Sequence, residues 1–157
     1  FLIMFRLCLL SALTTILFAT VVHAGEVNEW YLQGSIYTKH FYPDSEHNNS
    51  QNLVGLEYQG EFARVAGGAT FRNSFGQRTQ YFYVGKRFDS EHTPFYLKIT
   101  GGLIQGYRGE YRDKIPLNRF GVAPAIIPSV GLRAGALGGE VVFLGSSAMM
   151  VNLGIYL

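Results

Sequence analysis

A chain of 157 residues has room for one domain, and 13 basic against 11 acidic residues leave a formal charge of +2, too small for a nucleic-acid-binding surface. Only 15% of the residues are charged, whereas an ordinary domain carries about 25%, and 15% are aromatic beside 19 glycines. The single cysteine, Cys8, excludes a disulfide framework.

The first element, "FLIMFRLCLLSALTTILFATVVHA", is unlike the rest. It has one basic residue, Arg6, then an apolar run, then Val22-His23-Ala24. That order reads as a secretory signal peptide over residues 1–24, with Met4 a candidate start and cleavage leaving Gly25 first. A retained anchor is the alternative, but the run is short for a membrane helix of about 20 residues. Cys8 lies within this segment, far from the cut, so neither thiol chemistry nor lipid attachment at the cut is expected.

After Ala24 no run of about 20 apolar residues follows, and short alternating segments recur between turn signals. Eight strands are expected, at 31–41, 52–59, 62–71, 78–88, 94–105, 121–133, 138–145 and 148–157. In "PFYLKITGGLIQ", Phe95, Leu97, Ile99 and Leu103 take one face, and Tyr96, Lys98, Thr100 and Gly102 the other. In "AMMVNLGIYL", Met149, Val151, Leu153, Ile155 and Leu157 alternate with Met150, Asn152, Gly154 and Tyr156. One face suits lipid and the other a lumen, although a soluble sandwich gives the same alternation. Gap lengths favour the membrane. The longest, 42–51 and 106–120, are the first and fifth, as outer loops are when the amino terminus faces the periplasm. Residues 25–157 are therefore expected to form an all-β, eight-stranded antiparallel transmembrane β-barrel.

Chemistry, if any, belongs at the outer rim. His40 ends the first strand, sharing an alternation with Leu32, Gly34, Ile36 and Thr38, and Asn73 and Ser74 form the next outward turn. A neutral imidazole can take a proton from a hydroxyl, and hydroxyl or amide groups can attack or stabilise an oxyanion. The same Asn and Ser are also ordinary turn formers. Arg108, Arg112, Lys114 and Arg119 interleave with Tyr107, Tyr111 and Phe120 in the long loop. Guanidinium forks match phosphate, but Glu110 and Asp113 can equally pair with these cations.

His40, the turn "FRNSFG" and the stretch "PLNRFGVAPAIIPSVGLRAG" together resemble the outer-membrane lipid A palmitoyltransferase (PagP) family, whose motif is a His at the end of strand one and a Phe-Lys-Asp-Ser-Trp-like turn after strand three. The resemblance implies a monomeric outer-membrane acyltransferase that moves a palmitoyl chain from a phospholipid to lipid A, with no metal or cofactor. His40 would be the general base, with Ser74 and Asn73 at the oxyanion or the imidazole. Gly85 would sit on the barrel floor and set acyl length, the chain lying in an apolar lumen. Arg72, Arg78 and the loop cations Arg108, Arg112, Lys114 and Arg119 would meet lipid A phosphates, and Pro124 and Pro128 would open lateral access. The chain departs from the family pattern at Asn73, where the family has Asp, at Leu157, where it has Phe, and before strand one, where "GEVNEW" is too short for the family's helix. Strands 1, 2 and 7 lack the family's prolines. A non-catalytic structural or adhesive barrel and a lipid A deacylase are the alternatives.

Overall fold

The alternation of apolar and polar residues becomes, in a computed structural model that describes residues 28–41, 52–73, 76–106, 121–146 and 148–157, eight strands: β1 Glu29–His40, β2 Val54–Gln59, β3 Arg64–Arg72, β4 Arg78–Asp89, β5 Phe95–Gln105, β6 Val122–Ala134, β7 Leu137–Leu144 and β8 Ala148–Tyr156. The expected signal peptide lies outside the described residues. Each strand pairs antiparallel with the next, and β1 pairs with β8, so the sheet closes into a barrel. Closure leaves no sheet edge, which is what a spanning structure needs where no water can satisfy backbone groups.

The two faces differ as a membrane requires. Outward positions carry Leu32, Leu56, Phe82, Val84, Leu103, Ile126, Leu153 and Ile155, all exposed. Inward positions carry Tyr31, Glu57, Tyr83, Arg87, Tyr96, Lys98, Glu140, Asn152 and Tyr156, all buried. An apolar exterior around a polar interior inverts a soluble protein, so these strands form a transmembrane barrel. Four turns or gaps, after β1, β3, β5 and β7, share one end, which holds the two longest, 41–53 and 106–121; the β2–β3, β4–β5 and β6–β7 turns share the other with both ends of the described chain. By the loop-length rule the first end is the outer one.

Inward glycines make room for inward tyrosines. A Cβ on Gly131 would lie 2.2 Å from the Tyr96 ring, and one on Gly154 would lie 2.4 Å from the Tyr31 ring. The bare backbone at these positions lets bulky rings lie flat against the wall of a narrow barrel.

One expectation about faces is corrected. The β1–β8 register shifts between Ser35 and Tyr37, which inserts a bulge. Below it Tyr31 and Gln33 point inward; above it Thr38 and His40 do. His40 therefore shares its face with Thr38, Gln33 and Tyr31, while Leu32 and Ile36 face lipid. An extra residue in one strand shifts the alternation by one position, which strict period-two counting misses.

Candidate functional site

The outer rim holds two of the expected reactive residues. His40, the last residue of β1, stands opposite Ala148 of β8 and is 5% exposed. Asn73 follows β3 and is fully buried. Its side chain closes its own turn: Gln77 N donates to Asn73 Oδ1 at 3.0 Å, and Asn73 Nδ2 donates to Gln77 Oε1 at 3.3 Å. Asn73 N also donates to the Gln77 carbonyl at 2.9 Å. An amide can give and accept across such a turn; a carboxylate can only accept. Ser74 lies outside the described residues, as do Arg108, Arg112, Lys114 and Arg119.

Arg72 and Arg78 are brought together. They end β3 and begin β4, stand directly opposite in the ladder, and both point outward into exposure. They lie on the outer wall, not over the lumen.

Gly85 points inward between Tyr83 and Arg87, but it does not line the interior cavity. A Cβ there would come within 2.1 Å of the Ile99 carbonyl oxygen and 2.8 Å of Thr100 Cα. The glycine answers the close approach of the β5 backbone: a larger side chain there would meet β5.

The lumen itself differs most from expectation. Instead of an apolar bore it holds a connected polar plug. Lys98 Nζ donates to Glu57 Oε2 at 2.8 Å and to Glu140 Oε1 at 2.6 Å. Tyr83 and Tyr96 hydroxyls donate to the same two carboxylates, each at 2.7 Å. Arg87 Nη1 donates to Gln59 Oε1 at 2.9 Å and to the Tyr156 hydroxyl at 2.7 Å, with its guanidinium 3.8 Å over the Tyr96 ring. Nearer the periplasmic end Arg133 pairs with Glu29 and covers the Tyr156 ring, which stacks on Tyr31. Buried charges persist only when paired and hydrogen-bonded, and these are.

Above the plug the interior turns apolar, with Phe71, Tyr81, Tyr83 and Ile104 in one cluster and Leu53, Ala125 and Ile127 against it. The space left there is a cavity of about 50 Å³ that touches Tyr81, Lys98, Ser129, Glu140 and Asn152. At roughly 10–15 Å³ per water it accommodates a few waters and no fatty chain.

Pro124 and Pro128 lie on the outward face of β6, beyond the last β6–β7 ladder pair. The β6–β7 ladder ends at the pair Ser129–Val142, next to Pro128, whereas the β5–β6 ladder continues to Gln105–Val122. Thr100 Oγ1 donates to the Ile127 carbonyl at 3.2 Å, so that carbonyl faces β5. Alternate residues face alternate neighbours, so position 128 turns its backbone toward β7, where proline has no N–H to give. The upper seam between β6 and β7 is thus unladdered.

The charged members of the plug were not singled out from the sequence. A signal was present: Glu57, Lys98 and Glu140 each occupy an inward alternation position between apolar outward neighbours, in "VGLEYQ", "FYLKITGG" and "LGGEVVFL".

Fold and interior together define an eight-stranded transmembrane barrel with a plugged lumen. No protein-family model matches the chain, and no curated protein matches it. Among solved structures it is similar to the Yersinia pestis outer membrane protein Ail in a phospholipid bilayer nanodisc, at 12% identity and a TM-score of 0.43, over 83% of this chain and all of that one (100%).

Proposed function

We propose that this chain is a non-catalytic barrel of the bacterial outer membrane, with a structural or adhesive role exercised at its outer rim and wall. The plugged lumen carries this reading. Lys98, Glu57 and Glu140 with their tyrosine partners occupy the axis, and the cavity above them is about 50 Å³. Among the described residues these side chains fill the space in which a fatty chain would lie or a solute would pass. This reading looks to the outer surface, where Arg72 and Arg78 stand exposed. The test is a lipid A mass spectrum from cells with and without the protein. Unchanged lipid A is expected. A gain of one acyl chain would replace this reading with acyl transfer, and a loss with deacylation.

Lipid A acyl transfer is kept as the second reading because of one observation, the unladdered β6–β7 seam beside Pro128, which opens next to the apolar upper cluster. On that reading a phospholipid enters through the seam and the cluster side chains move aside for its acyl chain. His40 takes the proton from a lipid A hydroxyl while Asn73 and Ser74 stabilise the oxyanion or hold the imidazole. His40→Ala would then abolish acyl gain in a barrel that still shows heat-modifiable migration.

A further inference from the structure

On the lipid-facing wall, two cations stand where the ladder alone would disfavour them. Arg72 and Arg78 are directly opposite on β3 and β4 and both exposed. Like charges in direct cross-strand register repel. Each guanidinium is nonetheless held in place: Arg72 Nη1 donates to the Gly76 carbonyl at 3.1 Å, and Arg78 Nη1 donates to Thr70 Oγ1 at 3.2 Å. A guanidinium has five N–H donors, so both keep donors for an anion between them.

Thr70 is also the top of a groove. Below it the outward residues of β3 are Gly68 and Ala66, a low floor. Val54 and Leu56 of β2 rise on one side and Val84 of β4 on the other, with the Phe82 ring leaning over Gly68, 3.2 Å from where a Cβ would stand, and the groove is part of a shallow, open depression of about 1010 Å³ that runs from β1 to β5. A second cation pair, Arg64 opposite Lys86, ends the same seam at the periplasmic side. The eight steps from Arg64 to Arg72 span about 27 Å of strand, or about 20 Å of height at a tilt of about 40°. The cation pairs therefore stand about 20 Å apart in height, somewhat less than the apolar band of about 25 Å, so their long side chains reach toward its two edges and the groove between them lies in acyl chains.

We propose that this wall is a lipid-binding site: the phosphate of an outer-leaflet phosphorylated lipid sits between Arg72 and Arg78, and one of its acyl chains lies in the groove along Thr70, the Phe82 ring and Ala66. Charge complementarity sets the headgroup, because paired guanidinium forks match phosphate oxygens and relieve their own repulsion on binding one. The depth of the floor sets the tail, since the small Ala66 and the Phe82 ring lying over Gly68 let a chain sit below the ridges of Leu56 and Val84. The site goes beyond the proposed function and stands without it: no bond is made or broken, and His40 takes no part.

The experiment is lipid retention by the full barrel, purified in detergent and read by native mass spectrometry, with dioleoyl phosphatidic acid, dioleoylglycerol and inorganic phosphate as probes. Wild type is expected to keep one phosphatidic acid, and to bind dioleoylglycerol and inorganic phosphate at least about tenfold more weakly. Arg72→Ser/Arg78→Ser should cut phosphatidic acid retention about tenfold. Ala66→Leu fills the floor without touching either arginine and should lower retention several-fold. His40→Ala should retain as wild type does, so failed acyl transfer does not bear on the result. Equal retention by the double arginine variant would overturn the site. So would inorganic phosphate binding as tightly as the lipid, or unchanged retention by Ala66→Leu, since either leaves a charge clamp with no groove. Arg72, Arg78 and Ala66 face outward while His40 faces the lumen, and heat-modifiable migration verifies that the variants compared are folded.

Discussion

Lys98 Nζ lies 2.6 Å from Glu140 Oε1 and 2.8 Å from Glu57 Oε2, and all three side chains are buried. One ammonium thus separates two carboxylates contributed by β2 and β7, strands on opposite sides of β5. Lys98→Met removes the cation bonded to both and leaves two buried anions close together. Breaking a buried ion pair from one side costs about 3–5 kcal/mol. Chemical unfolding from lipid vesicles, followed by Trp30, the single tryptophan, is expected to show a loss of that size. Adding Glu57→Gln and Glu140→Gln to Lys98→Met should recover most of it, because neutral amides carry no repulsion.

The strand pattern was legible and the partners were not. Phe95–Gln105 and Ala148–Tyr156 show their faces directly, because lipid and lumen impose opposite demands on successive residues. The bulge beside Ile36 was not legible: an added residue leaves no mark in composition, and it moved His40 to the other alternation. Lys98 could be read as inward, but its partners Glu57 and Glu140 sit on strands remote in sequence, so only closure of the barrel pairs them. The apolar lumen came from resemblance in the outer rim, around His40 and "FRNSFG", and the rim does not determine what fills the barrel below it. At the candidate site, His40 and Asn73 were legible as rim residues. The turn-closing bonds of Asn73 to Gln77 depend on the side-chain geometry of a single turn.

Gly131 and Tyr96 are a matched pair across the wall. A Cβ at position 131 would lie 2.2 Å from the ring, and the ring is pinned by its hydroxyl bond to Glu140 at 2.7 Å. Gly131→Ala therefore forces a ring that holds a buried carboxylate to move. Overpacking costs about 1–3 kcal/mol, and the same unfolding assay is expected to register it. Tyr96→Leu loses the Glu140 bond but vacates the ring's space. In its background Gly131→Ala should cost much less, a non-additivity that identifies the contact.

The β2–β3 turn is built with residues that disfavour it. Phe62 and Ala63 both have positive φ, 57° and 62°, and Arg64 N donates to the Glu61 carbonyl at 3.2 Å. Two successive left-handed residues are what a two-residue hairpin turn demands, and Asn-Gly is its usual occupant. A side chain in that region costs about 1–2 kcal/mol per residue. Phe62→Asn/Ala63→Gly should accordingly raise stability by about 1–2 kcal/mol, read as a higher denaturant midpoint at unchanged slope. An unchanged or lower midpoint would mean that the exposed Phe62 ring, with Arg64 5.8 Å above it, contributes more at the membrane edge than the backbone loses.

Pro128 sets where the β6–β7 seam stops. The ladder runs from Ala134–Leu137 to Ser129–Val142, and continuing its register would place residue 128 opposite Phe143. The backbone of 128 faces β7, and the strand on that side is present, since Phe143 and Leu144 are both paired with β8. Only the donor is missing. Pro128→Val supplies it and keeps an apolar side chain toward lipid. One added backbone bond is worth about 0.5–1.5 kcal/mol, so the variant should be more stable than wild type. Its new amide at 128 should exchange with solvent deuterium slowly, as a laddered amide does. If lipid A acyl gain is ever observed, the same substitution should suppress it by closing the lateral path, while a seam with no role in lipid entry would leave acylation untouched. Stability and acylation then answer separate questions with one variant: whether the proline ends the ladder, and whether the ladder's end is a door.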